Sequence, residues 1–106
     1  MSFKGHMQTG TVEGTGAAIN VVLGFTPSFV RVDNIDGDAI LVWNDAMPDA
    51  SGMKTIAAGT TAHITSNGIT PYPGVEATTG SGFTIGADSD VNVNAETLVW
   101  TAFGQE

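Results

Sequence analysis

The sequence predicts an all-β protein: a small antiparallel β-sandwich or barrel of about eight short strands with a flexible N-terminal arm. Three observations predict it. Short runs rich in Val, Ile, Thr and aromatic residues recur at spacings of about 8–12 residues. Gly, Pro, Asn and Asp separate them, with 14 Gly and 14 Thr in 106 residues. No hydrophobic period of helical type is sustained anywhere in the chain. The length bounds the answer at one domain, divided into an arm over residues 1–16 and a β domain over residues 17–106.

Taken in order, residues 7–14 alternate Thr, Val and Glu between glycines and read as a weak strand or an extended arm. Residues 18–23 (Ala-Ile-Asn-Val-Val-Leu) are a better strand, closed by Gly24 and Pro27. In residues 28–34, Val30 and Val32 fall on one face and Phe29, Arg31 and Asp33 on the other. Asp36-Gly37 is a hairpin turn signal. It leads into the apolar run 39–44 (Ala-Ile-Leu-Val-Trp-Asn), which reads as a strand buried on both faces. Residues 45–51 are a polar loop with Pro48. Lys54 to Ala58 suggests a short strand ended by Gly59. Thr60 to Thr65 alternates, setting Ala62 and Ile64 against Thr61, His63 and Thr65. Asn67-Gly68 is a second turn signal, and Pro71 and Pro73 argue against a central strand after it. Residues 74–82 read as an exposed, mobile loop. Gly82 to Gly86 is a strand with Phe83 and Ile85 on one face. In residues 87–95, Val91 and Val93 are expected to point inward while Asp90, Asn92 and Asn94 point outward. Residues 96–103 close the fold, with Leu98, Trp100 and Ala102 sharing a face.

Composition limits function. Three Lys and Arg against eleven Asp and Glu give a net charge of -8. So few cations cannot neutralise many phosphates, which argues against nucleic acid and against an anionic membrane surface. Cys is absent, which removes disulfides, thiolate metal sites and Cys catalysis. No apolar run is long enough for a membrane-spanning helix. No signal-peptide pattern is read at the N-terminus, which fits synthesis in a cytoplasm. A small core without disulfides favours oligomerisation.

No catalytic constellation stands out. The histidines are His6 and His63; His63 reads as a surface side chain on a polar strand face, and no nucleophile motif accompanies it. The expectation is therefore a non-enzyme with no catalytic residues, no cofactor and no metal. Asp88, Asp90, Asn92 and Asn94 place oxygen side chains at alternate positions, as at the start of a calcium loop. However, Val93 stands where such a loop needs glycine, and strand alternation explains the spacing more simply. Asp33, Asp36, Asp38, Asp45 and Asp49 crowd one third of the chain, as a solvated loop end or a surface for a basic partner. Phe25, Phe29, Trp43, Phe83, Trp100 and Phe103 read as core or subunit-interface residues. Tyr72, between two prolines, is the best candidate for an exposed aromatic contact.

Three stretches carry a resemblance. Gly24-Phe25-Thr26-Pro27-Ser28-Phe29-Val30-Arg31-Val32-Asp33-Asn34, followed by Trp43, resembles a Gly-Phe-x-Pro-x-x-Val-x-Val-x-Asn element of small virion proteins of tailed phages. Asn67-Gly68-Ile69-Thr70-Pro71 fits a turn of that family. Gly82-Phe83-Thr84-Ile85-Gly86, an Asp/Asn-rich turn and Glu96-Thr97-Leu98-Val99-Trp100 resemble its closing segment. The resemblance spans roughly residues 23–102 and implies a capsid decoration or cement protein on the outer surface of a phage head. It implies the major capsid protein as partner and a homotrimeric assembly. The arm, residues 1–16, would order on a neighbouring subunit. A similar strand in tail-fibre and lectin-like domains leaves a receptor- or glycan-binding module as the alternative.

Overall fold

The computed structural model describes residues 5–74 and 80–105. They form eight strands: β1 (Gly5–Glu13), β2 (Ile19–Val22), β3 (Phe29–Asn34), β4 (Ala39–Asn44), β5 (Ser51–Thr55), β6 (Thr61–Tyr72), β7 (Gly82–Ile85) and β8 (Thr97–Gln105). All pairings are antiparallel, and the strands make one sheet in the order β1-β8-β3-β4-β5-β6-β7-β2. The all-β expectation holds, in its barrel rather than its two-sheet form. Residues 5–13, read as strand or arm, are strand: β1 pairs with β8 over its whole length, from Gly5 opposite Gln105 to Glu13 opposite Thr97. Residues 1–4 and the centre of the expected 74–82 loop lie outside the described residues.

Connectivity forces the sheet to curl. β1 and β2 are consecutive in the chain yet occupy opposite edges. Seven inter-strand spacings in a flat sheet would separate them by roughly 34 Å. Six residue steps from Glu13 to Ile19 reach at most about 21 Å. The sheet therefore bends into a half-barrel that brings its edges within reach. Gln8 in β1 closes part of the gap, donating from Nε2 to the Leu23 carbonyl just past β2 at 2.9 Å.

The concave side holds the core. Val30, Val32, Leu41, Trp43, Ile69, Phe83, Ile85, Leu98 and Ala102 are buried there. Phe83 meets Trp100 edge-on, ring centroids 5.6 Å apart. β7 and β8 are each second from an edge, so this contact spans the curl. Leu98, Trp100 and Ala102 share the buried face, as their spacing predicts. In the β2–β3 connection, half-buried Phe25 lies over Gly104, where a Cβ would stand 2.7 Å from the Phe25 ring.

Several local expectations are corrected. β4 is buried on one face only: Ala39, Leu41 and Trp43 point inward, whereas Ile40 and Val42 are half-buried on the convex side. β5 starts at Ser51 rather than Lys54, and Ile56 to Gly59 form the turn, with the Gly59 amide bonded to the Ile56 carbonyl. Asn67-Gly68 does not reverse the chain. It lies within β6 at a bulge, where Ser51 faces Ile69 while the next residue, Gly52, faces Ile64. Asn67 takes φ +62°, a conformation Asn tolerates. A Cβ on Gly68 would lie 2.2 Å from the Ser51 carbonyl oxygen, so only glycine fits. Pro71 sits inside β6, against expectation. Beyond Ile69 the strand pairs with β7 alone, so the missing proline N–H faces no second ladder. Tyr72 accordingly ends a strand, half-buried, and is not an exposed loop aromatic.

Candidate functional site

The segment between β7 and β8 closes one end of the half-barrel with a polar network. It is a series of turns rather than a strand, which corrects the inward-outward alternation expected there. The Asp88 Oδ1 accepts from the Asp90 amide at 2.9 Å and the Val91 amide at 3.2 Å, and the Asn92 amide donates to the Asp88 carbonyl. This winding turns both Val91 and Asn92 inward, 0% and 1% exposed. The Asn92 side chain then serves four backbone groups. Its Oδ1 accepts from the Thr15 amide at 2.9 Å and the Gly16 amide at 3.3 Å. Its Nδ2 donates to the Ala17 carbonyl at 2.6 Å and the Gly86 carbonyl at 3.0 Å. Asn92 thus anchors the connection that crosses from one sheet edge to the other. Asn34 acts beside it: its Nδ2 donates to the Val91 carbonyl and to Glu96 Oε1, and its Oδ1 accepts from the Asp36 and Gly37 amides.

The calcium-like spacing resolves differently from a metal loop. The Lys54 ammonium, reaching from β5, stands 3.0 Å from Asp88 Oδ2 and 2.7 Å from Asp90 Oδ2. It occupies the position where two of the four oxygen residues would meet a cation, and Asn92 is committed to backbone. Among the described residues, no three His, Cys, Asp or Glu side chains converge to hold a metal ion. The Lys54 pKa is raised, chiefly by its hydrogen bond to Asp90; burial works against this and Asp88 adds to it.

A pH dependence follows. A raised folded-state pKa on Lys54 means stability that is fully present below the ordinary lysine value of about 10.4 and lost as pH rises through the higher folded value. Lys54→Met keeps the aliphatic stem and removes the charge. At neutral pH it is expected to cost about 2–3 kcal/mol, since both carboxylates lose a charged donor. The gap between wild type and variant in thermal melts should close as pH rises above that range. A constant gap would place the effect in packing instead.

The acidic residues do not gather at one loop end. Asp36 and Asp38 precede β4, and Asp45 and Asp49 follow it, so a strand of about 20 Å separates the two pairs. Asp33 is held by Arg31 Nε at 2.8 Å. The end holding Asp36 and Asp38 instead collects Glu13, Asp88, Asp90 and Glu96 from distant parts of the chain. Only some of this charge is free: Asp36 Oδ2 accepts from the Thr97 amide at 2.7 Å.

Sequence reasoning did not find the convex face. The register aligns Met7, Phe103 and Phe29 across β1, β8 and β3, and the two phenylalanine rings stand 5.5 Å apart. Two residues along, Thr101, Arg31, Val42 and Met53 line up across β8, β3, β4 and β5. The next row holds Val99, Asp33 and Ile40. Met7 is 59% exposed, Phe103 44% and Met53 39%. Among the described residues on β1, β8, β3, β4 and β5 in these three rows, Arg31 and Asp33 are the only charged side chains, and they neutralise each other.

His63 lies on the same side, exposed, with Met53 as its cross-strand neighbour. Ala62 is also exposed, and of the two alternating sets in residues 61–65 only Ile64 is half-buried. The His6 side chain lies outside the described residues. Both tryptophans are buried, which removes the strongest sugar-stacking surfaces. Of the six aromatic residues expected in core or interface, Trp43, Phe83 and Trp100 are core, Phe25 is half-buried, and Phe29 and Phe103 belong to the convex face.

Comparison of the chain with protein-family models, curated proteins and solved structures finds no match.

Proposed function

We propose that the chain is a structural virion protein: a capsid decoration protein that binds the outer surface of a tailed-phage head, contacts the major capsid protein and stabilises the shell. The observation that carries this reading is the convex face. A chain of net charge -8 that keeps one sheet face free of excess charge, with Met7, Met53 and Phe103 exposed on it among threonines, offers a surface suited to being covered by protein. The family resemblance supplies the particular assembly. The rest of the molecule fits a structural role, with its polar side chains committed to holding the curl. Buried polar side-chain atoms among the described residues all have partners, and the Asn92 and Lys54 networks join segments far apart in sequence. Such a body gains affinity by repetition, since many weak contacts on a symmetric lattice add through avidity.

The test mixes the purified chain with heads and, separately, with tails of the phage that encodes it. Co-sedimentation with heads, regular added density on the shell and a raised temperature of head rupture are expected. Density at the tail tip with none on the head would overturn the reading in favour of a receptor-binding module.

A further inference from the structure

We infer that Asn67-Gly68 is a modification site gated by the fold: the folded chain holds this bond intact, opening of β6 lets it convert to an isoaspartyl linkage, and the linkage then keeps the strand from reforming. The inference concerns the durability of the chain itself and goes beyond the proposed function.

The chemistry is that of an Asn followed by Gly. The Gly68 nitrogen loses its proton and attacks the carbonyl carbon of the Asn67 side chain. An N–C bond forms, the side-chain nitrogen leaves as ammonia, and a cyclic imide remains. Water then opens the imide at one of its two carbonyls. One opening gives aspartate on the original main chain. The other gives isoaspartate, in which the main chain runs through the former side-chain carbons and is one carbon longer. Glycine favours the attack, because no Cβ hinders its nitrogen.

Exposure alone would make the site reactive, since Asn67 is open to water. The backbone decides otherwise. Gly68 is buried, and its amide donates to the Ala50 carbonyl at 3.0 Å, while its carbonyl accepts from the Gly86 amide at 2.9 Å. The nitrogen that must lose its proton is therefore bonded and shielded. Ring closure also brings that nitrogen into one plane with the Asn67 side-chain carbons. This turns the peptide away from the left-handed conformation that Asn67 holds at φ +62°. The bulge leaves no room for the turn. On one side a Cβ on Gly68 would collide with the Ser51 carbonyl, and on the other a Cβ on Gly86 would collide with the Asn67 carbonyl carbon. The reaction thus waits on local separation of β6 from β5 and β7.

The same packing governs the return. Asn67 lies between two fixed registers, with Ile64 opposite Gly52 before it and Ile69 opposite both Ser51 and Ile85 after it. An added main-chain carbon between them cannot fit against Ser51 and Gly86. Aspartate keeps the chain length and tolerates the left-handed conformation as Asn does, so only the isoaspartyl product is shut out.

The experiment incubates the purified full chain in mildly alkaline buffer with and without guanidinium chloride, and follows position 67 by mass spectrometry of the peptide that carries it. Peptide mapping is required because Asp36-Gly37 can close the same ring. Loss of Asn67 is expected to be at least tenfold slower in the folded chain. After the denaturant is removed, chains with isoaspartate at position 67 are expected only in the fraction that does not regain the native circular dichroism spectrum. Asn67→Asp should refold as the wild type does, which separates the added carbon from the added charge. Asn67→Gly keeps the left-handed conformation without a side-chain amide and should refold fully after the same incubation. A ratio below tenfold, isoaspartyl chains in the refolded fraction, or failure of Asn67→Asp to refold each overturns the inference. None of these results bears on head binding, which the sedimentation with heads decides separately.

Discussion

Asn92→Ala is expected to lower stability by about 2–4 kcal/mol, as the loss of one small polar side chain takes the Asn92 bond from four backbone groups, of which the Ala17 carbonyl keeps the Thr15 hydroxyl as a donor. Its Oδ1 and Nδ2 together satisfy the Thr15 and Gly16 amides and the Ala17 and Gly86 carbonyls. Water can reach the groups on residues 15–17 more readily, because those residues are exposed, so the cost falls mainly on the Gly86 carbonyl. Asn92→Asp separates the two halves of the role. The carboxylate keeps the acceptor for Thr15 and Gly16 but turns an oxygen toward the two carbonyls that Nδ2 served. The ionised form is repelled there, and the protonated form can still donate to one of them. The aspartate therefore has a raised folded-state pKa. Its penalty is smallest below about pH 4, where the group is protonated in both states, and grows as pH rises through the folded value. Chemical denaturation of both variants at about pH 4 and pH 7 checks this. Equal losses at both pH values for Asn92→Asp would show that Nδ2 is not holding the carbonyls.

The same residue shows where sequence reading stops. β3 and β8 are legible because apolar side chains recur at every second position, at Val30 and Val32 and at Leu98, Trp100 and Ala102, and that period has one physical solution, a strand with one buried face. Val30, Val32, Leu98, Trp100 and Ala102 are all found on the buried side. Asn92 alternates with Val91 and Val93 in a stretch otherwise of Asp, Asn, Ser and Ala, a pattern that reads as a strand with Asn92 on its outward face. Its partners in residues 15–17 lie more than seventy positions away, and nothing local records them. Asn67-Gly68 is misread for a related reason. The dipeptide signals a left-handed residue followed by glycine, and a bulge needs that as much as a hairpin does. The convex face is illegible for a third reason. Met7, Phe29 and Phe103 become neighbours only through the β1–β8–β3 register. One sequence trace of that face was present in the β4 run, whose outer Ile40 and Val42 were too apolar for a strand with a wet side.

Phe83→Ala is expected to cost about 3–5 kcal/mol, a large share of the 5–15 kcal/mol that holds a domain of this kind together. Phe83 is completely buried, and its ring meets Trp100 edge-on. The edge-to-face pair contributes about 0.5–1.5 kcal/mol beyond area burial. It also has a mechanical role, since β7 and β8 lie on opposite arms of the curl and no ladder joins the two sheet edges. Side-chain packing across the concave side is what keeps the arms together, and truncating this ring removes the aromatic contact between them. The expected result is therefore a lower denaturation midpoint accompanied by a red-shifted, more quenchable tryptophan emission in the native state, as Trp100 gains water. Phe83→Leu should lose only about 1–1.5 kcal/mol, because volume is largely kept. Phe103→Ala supplies the contrast. It removes the same atoms from a side chain that is 44% exposed on the convex face, so in dilute solution it should cost well under half as much as Phe83→Ala. If Phe103→Ala proved the more damaging of the two in dilute solution, the buried side of the sheet would have been assigned the wrong way round, and the convex face would be the core.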